Sequence, residues 1–259
     1  MSICFSQPKI VGSHQFLFEL HDSLESTQTL RKKIHKEDPH SNVVVMAKHQ
    51  SKGQGQRGRV WESYSEGIQL LCSCVIASPF STQRLPMSNL LAACIWVEIV
   101  RDHLGVQTLI KWPNDLMLGG KKWGGLLSEF LDASQNMILL GMGLNLSGTP
   151  APSLPDATSL WSEPSKASHQ MGIDMVCHFL DAWQNKSMMD ESELCRQIQD
   201  FFSANNAWSN QTIETDIGDG QVIVGLGNTI DDTGALLLQK KGTSNLIPII
   251  SGRIRKKGI

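Results

Sequence analysis

Cysteine is scarce in this chain, with six among 259 residues. Net charge is scarce as well, at −2. Long apolar runs are missing. Six thiols over this length do not make the disulfide framework of a small secreted domain, and no Cys/His spacing matches a zinc site. Buried reduced thiols are expected. The near-zero charge excludes a global pull towards nucleic acid, so any anion site must be local. No apolar stretch approaches the ~18 residues of a membrane span. The first nine residues, Met-Ser-Ile-Cys-Phe-Ser-Gln-Pro-Lys, lack the basic start and apolar core of a secretion signal. A cytoplasmic protein with no membrane contact is expected. Some motifs are missing too. There is no G-x-x-x-x-G-K-[ST] phosphate loop, no kinase H-R-D or D-F-G, and no Ser-His-Asp or Cys-His arrangement. What is present, 41% hydrophobic and 19% charged residues, fits a globular enzyme of one large domain plus a small module.

Periodicity divides the chain. Residues 13–20 and the β-branched run Asn42–Ala47 predict strands. Between them Ser26 or Thr27 can cap a helix running to about Lys36. Gly67–Ala77 alternates, with Ile68, Leu70, Cys72, Cys74 and Ile76 on one face. Pro86–His103 predicts a helix stopped at Gly105. Asn136–Leu140 predicts a strand entering Gly141–Leu146, and residues 148–165 a loop. Helices are expected over Ala167–Trp183 and Glu191–Phe202. After Asn206 short strands follow. Gln221–Leu226 and Ala235–Gln239 form a hairpin around Gly227–Gly234, Leu246–Ile250 adds a third strand, and Arg253–Lys257 is expected as a solvated tail.

Polar chemistry gathers in four segments beside these elements. Glu25-Ser-Thr-Gln28 places hydroxyls at a helix start, which reads either as a plain cap or as a ligand contact. Lys48–Arg59 holds Lys48, Lys52, Arg57 and Arg59 among glycines, with no acid; it reads as an anion cradle or as a solvated basic turn. Its Gly53-x-Gly55-x-x-Gly58 string is a weak dinucleotide signal, because no amphipathic helix follows. Lys111-Trp-Pro-Asn-Asp-Leu-Met-Leu-Gly-Gly-Lys-Lys122 reads as strand, turn and strand, with a lysine at each end, Asp115 between and a Gly119-Gly120 reversal. Gly141-Met-Gly-Leu-Asn145 offers glycine-lined backbone and an amide. Cationic clamps with one carboxylate suit positioning and charge stabilisation at phosphorus rather than covalent catalysis by the protein.

In order and spacing, Glu25-Ser-Thr-Gln28, Gly53-Gln-Gly-Gln-Arg-Gly-Arg-Val-Trp61, Lys111-Trp-Pro-Asn-Asp-Leu116, Lys122-Trp-Gly-Gly-Leu-Leu127 with Glu129, and Gly141–Asn145 resemble the biotin protein ligases. Gly225–Leu238 resembles their SH3-like C-terminal domain. The resemblance implies an α+β fold: a catalytic domain like that of class II aminoacyl-tRNA synthetases over residues 1–210, with a mixed, mainly antiparallel sheet, and a small SH3-like β-barrel over 211–259. It implies ATP-dependent formation of biotinyl-5′-AMP, then transfer of biotin to a lysine of the biotin carboxyl carrier protein of acetyl-CoA carboxylase. Carried over by position, Ser26, Thr27, Gln28 and Gln50 contact biotin; Gln54, Gly55, Gln56, Arg57 and Arg59 lie over biotin and the adenylate phosphate; and Trp61 orders that loop. Gly125 belongs to the same binding set. Lys111, Asn114 and Asn145 serve ATP, Asp115 holds Mg²⁺, and Lys122 reaches the reacting carbonyl and phosphate oxygens. Lys122, Lys111 and Arg57 form the catalytic set, and Lys121 is expected to be dispensable.

Two departures stand out. Where the family loop carries arginine, this chain has Gln54 and Gln56, so weaker retention of the adenylate is expected. The first family motif starts at Glu25, so no N-terminal helix-turn-helix and no operator binding are expected. A monomer or weak homodimer is expected. Lipoate or octanoate ligases and a catalytically lost biotin-binding protein are the alternatives; retained Lys111, Asp115 and Lys122 argue against the latter.

Overall fold

The computed structural model describes residues 3–64, 66–132, 136–216, 222–240, 242, 245–250 and 252–256. In chain order the elements are β1 (Ile3–Val11), β2 (His14–Leu24), α1 (Thr27–Glu37), β3 (Val43–Gln50), β4 (Gly53–Gln54), β5 (Val60–Trp61) and β6 (Ile68–Ala77). Then come α2 (Met87–Leu104), β7 (Leu109–Lys111), β8 (Asp115–Leu118), β9 (Lys121–Asp132), β10 (Met137–Ser147), α3 (His169–Ser187) and α4 (Glu191–Asn205). Last are β11 (Thr212–Asp216), β12 (Val222–Ile230), β13 (Leu236–Lys240), β14 (Leu246–Ile249) and β15 (Arg253–Lys256).

Eight strands form one sheet in the order β1-β2-β3-β6-β10-β9-β8-β7. Among the described strands of this sheet only β2 and β3 pair in parallel, because α1 crosses between them. The expected mixed, mainly antiparallel sheet is therefore present. The predicted face of β6, Leu70, Cys72, Cys74 and Ile76, joins the main core, together with Leu140, Met142, Leu144 and Leu146 of β10. Helices α2 and α3 cover that face; Trp96 of α2 stacks on Phe179 of α3 at 5.3 Å. Among the described residues α1 is the helix that covers the opposite face, over the small cluster of Leu24, Val45 and Ala47. Covering on both faces explains why β3 reads as a continuous apolar run instead of an alternating one. Past the reach of α1 the second face is left free for polar side chains.

Several boundaries differ from expectation. β1 was not anticipated; it is an edge strand whose composition, with Pro8 and Lys9, hides its pairing with β2. β10 runs unbroken through Gly141 and Gly143 to Ser147, since a central strand gains ladder bonds on both sides that outweigh weak glycine propensity. The C-terminal segment makes a five-stranded antiparallel sheet, β14-β13-β12-β11-β15. β12 extends to Ile230, so the turn shrinks to Asp231–Gly234, where Asp231 Oδ1 accepts from the amides of Thr233 and Ala235. Arg253–Lys256, expected as a tail, is strand β15 paired with β11; Lys257 and Gln221 lie outside the described residues. The segment is not separate in packing. Ile213, Ile230, Leu236 and Ile249 share the core that holds Met87 and Leu90. No helix among the described residues is long and apolar enough to cross a membrane, and the five cysteines described are free thiols.

Candidate active site

One row of paired residues crosses the free face of the sheet. Lys111 pairs with Asp115, Asp115 with Gly125, Gly125 with Gly143, and Gly143 with Leu71. Residues directly opposite in a ladder point to the same face, so two charged side chains stand beside two glycines. Lys111 Nζ lies 3.6 Å from Asp115 Oδ2, and Lys122 Nζ lies 2.5 Å from Asp115 Oδ1. The carboxylate is 18% exposed and the lysines 26% and 35%. Burial pulls the Lys111 ammonium below its ordinary pKa; Asp115 pushes it back up, while Lys122 and Arg59 lower it further.

Two turns build this cluster, where the sequence suggested one. The first, Trp112-Pro113-Asn114 with a cis Trp112–Pro113 peptide, brings Asp115 opposite Lys111. Asn114 pins it: its Nδ2 donates to Leu126 O at 2.5 Å, and Leu126 N donates to Asn114 O at 3.0 Å. The second is the expected reversal at Gly119 and Gly120, both in the left-handed region with φ of 57° and 81°. Alternation alone would send Lys122 to the wrong face, because Gly125 belongs to the site and an odd number of steps separates them. Register resolves this. Leu116 pairs with Gly124 but Met117 with Lys122, leaving Trp123 as one extra residue. This bulge buries Trp123 in the core and turns Lys122 towards Asp115. The backbone of Lys122 bonds elsewhere, accepting from Thr158 N and donating to Asp156 O, each at 2.8 Å.

Polar side chains from α1 form the neighbouring wall. Ser26 caps the helix, accepting from Thr29 N. Thr27 donates through its amide and its hydroxyl to Gln50 Oε1, at 2.6 and 3.0 Å. Gln28 Oε1 accepts from Ser73 Oγ at 3.0 Å, and its Nε2 donates to Glu129 Oε1 at 3.2 Å. A Cβ at Gly141 would collide with Gln28 Oε1. Asn145 is buried with both ends of its amide engaged, by Gln69 Nε2 and by Thr158 O.

The glycine loop is a small hairpin of β4 and β5, closed by Gly55 N donating to Arg59 O at 2.8 Å. Arg57 sits at its exposed tip with φ of 58°, and Arg59 is exposed; Gln54 Nε2 reaches Thr29 Oγ1 at 3.3 Å. The hairpin delivers Trp61 onto the glycine floor. A Cβ on Gly143 would lie 2.7 Å from the indole, and one on Gly125 would lie 3.2 Å from it. Lys122 Nζ stands 5.5 Å from its ring centre, and its buried Nε1 has no acceptor. The structure thus unites the α1 residues, Gln50, Trp61, the Lys111–Lys122 segment and the Gly141–Asn145 strand at one place. It puts Arg57 at the rim. Sequence reasoning missed Ser73, a hydroxyl in an apolar strand, and gave no role to Glu129, which also takes Lys32 Nζ at 2.8 Å.

The profile of the biotin/lipoate A/B protein ligase family matches residues 20–145, the stretch from β2 to Asn145 that carries the whole cluster. Over this stretch the chain is similar to the biotin/lipoate A/B protein ligase family. Among curated relatives in that family, the bifunctional ligase/repressor BirA of Bacillus subtilis is 31% identical over 185 residues, 69% of this chain and 55% of that protein. The biotin–[acetyl-CoA-carboxylase] ligase of Mycobacterium tuberculosis is 28% identical over 213 residues, 79% of this chain and 76% of that protein. The chain therefore spans about half the length of the bifunctional relative. In fold it matches the Aquifex aeolicus biotin protein ligase, solved with biotin and ATP, at a TM-score of 0.73 and 21% identity, covering 92% of this chain and 98% of that one.

Proposed function

We propose that this chain is a biotin protein ligase that activates biotin with ATP and transfers it to a lysine of a biotin carboxyl carrier protein, such as that of acetyl-CoA carboxylase. The carrying observation is the single row that sets Lys111 and Asp115 beside a glycine floor, with Lys122 turned onto Asp115 and the Thr27–Gln50–Gln28 wall alongside. In the first step a biotin carboxylate oxygen attacks the α-phosphorus of ATP, and the bond to pyrophosphate breaks. In the second the carrier amine attacks the acyl carbon, AMP leaves with the bridging oxygen, and the amine loses a proton. Neither step needs a protein nucleophile. Both build negative charge on oxygens around phosphorus and carbon, which fixed cations stabilise best in a partly dry site.

Lys122, nearest the glycine floor, would hold the carboxylate of biotin and the oxygens of the mixed anhydride. Lys111 would grip the ATP phosphates, with Asn114 and Asn145 shaping the nucleotide side. The unsatisfied Trp61 Nε1 beside Lys122 would find its acceptor in a ligand oxygen. A lone carboxylate suits Mg²⁺, which binds through one or two carboxylates plus substrate phosphates; Asp115 would hold it, and the ion would neutralise phosphate charge. We assign residues 1–210 to the catalytic domain and 211–259 to an SH3-like domain, a reading that the five-stranded C-terminal sheet supports.

Biotin is preferred over lipoate because the Mycobacterium tuberculosis and Aquifex aeolicus relatives are biotin ligases by name. Incubation with ATP, Mg²⁺ and a purified carrier domain, with biotin or lipoate, tests the proposal by mass. One biotin added to the carrier lysine is expected; an unmodified carrier, or one that takes lipoate alone, would overturn it.

A further inference from the structure

The connector between α4 and β11 reaches the phosphate-binding lysine, although no motif marks it. Trp208 lies in this connector, and Lys111 Nζ stands 4.8 Å from its ring centre. The connector is fixed rather than draped. Ala207 N donates to Ile110 O at 2.8 Å, Asn206 Nδ2 to Gly227 O at 2.8 Å, and Trp208 N to Asn206 Oδ1 at 3.0 Å. On the other side of Lys111, Trp112 Nε1 donates to Gly234 O at 2.8 Å. The residues before and after Lys111 are thus each tied to the C-terminal part of the chain.

Lys111 has a difficult task. Asp115 lies within 3.6 Å and already pairs with Lys122 at 2.5 Å. A lysine that collapsed onto Asp115 would offer less of its charge to phosphate, and a lysine swung into solvent would offer none. A second carboxylate could hold the ammonium out, but it would repel the nucleotide. An aromatic face attracts a cation through its quadrupole while carrying no net charge. We propose that Trp208 is a positioning residue for Lys111: its ring holds the ammonium ready for the nucleotide phosphates, and so makes ATP binding depend on the C-terminal sheet. The inference rests on the ligase reading above.

Biotin-dependent ATP–pyrophosphate exchange tests it with the wild type, Trp208→Phe and Trp208→Leu. Trp208→Leu is expected to raise the KM for ATP roughly 10-fold, within the range of a partly desolvated cation–π contact. Its kcat, its affinity for biotin and its transfer of biotin from preformed biotinyl-5′-AMP should not change. Trp208→Phe, which keeps a ring, should stay near the wild type. An unchanged KM in Trp208→Leu overturns the proposal. So does a loss spread over biotin affinity and transfer alike, which marks a purely structural role. If Trp208→Leu does not fold, fluorinated tryptophans at position 208 keep the shape and weaken the ring face. The KM for ATP should then climb with each fluorine, and a flat series overturns the proposal. A wild type inert in exchange would refute the ligase reading itself.

Discussion

Two glycine-rich cationic stretches border this site, and they are built in opposite ways. Gly53–Arg59 is an exposed hairpin two residues deep, with arginines at its tip and rim and glutamine at positions 54 and 56. Lys111–Gly125 is woven into the eight-stranded sheet, with Trp112, Leu116 and Trp123 in the core and Lys111 and Lys122 aimed at one carboxylate. Similar composition therefore has different consequences. In the sheet, packing on the far face fixes each side chain, so a cation there is preorganised. In the hairpin few buried contacts hold the backbone, so its groups are less preorganised.

If the sheet stretch carries the chemistry, the largest effect belongs to Lys122. Lys122→Ala should lower biotin transfer to a carrier domain by roughly 10³-fold, as loss of a preorganised charge does. The melting temperature should stay close to that of the wild type, because the side chain is partly exposed. Transfer surviving near the wild-type rate would move the chemistry away from the sheet. A smaller effect should follow Gly143→Val, which puts a side chain where the Trp61 indole lies 2.7 Å from a Cβ. Biotin affinity by calorimetry should fall roughly 10- to 100-fold, since forcing a side chain into a filled space costs ~1–3 kcal/mol. Unchanged affinity would mean the glycine floor does not receive the ligand. The smallest effect belongs to the hairpin. Gln56→Arg would offer the adenylate a charge-assisted hydrogen bond where glutamine can offer only a neutral one, a difference of ~1 kcal/mol. Release of free biotinyl-5′-AMP, and labelling of stray lysines, should drop about 5-fold with little change in transfer to the carrier. Equal release from both proteins would show that glutamine retains the adenylate as well as arginine does.

Much of the architecture was legible because it follows from local rules. The alternation of β6 named its core face correctly, Ser26 was one of two named caps, and Gly105 ended α2 at φ 66° as a glycine stop should. β15 escaped because Arg253–Lys256 lacks the apolar run that signals a strand; its pairing comes from β11, a partner some 40 residues earlier. The contact of Trp208 with Lys111 escaped for the same reason, since nothing in the local sequence links positions 97 residues apart.

The sequence alone determined which groups the site would contain. Two lysines and one aspartate around glycines, and hydroxyls at a helix start, follow from side-chain chemistry and turn propensity, which are local properties. Tertiary structure decided whether those groups meet. The pairing of β8 with β9 set an extra residue at Trp123, and that bulge, not the alternation of the strand, turned Lys122 from the core face to the side of Asp115. Register is a property of two strands together, so no reading of either one could supply it.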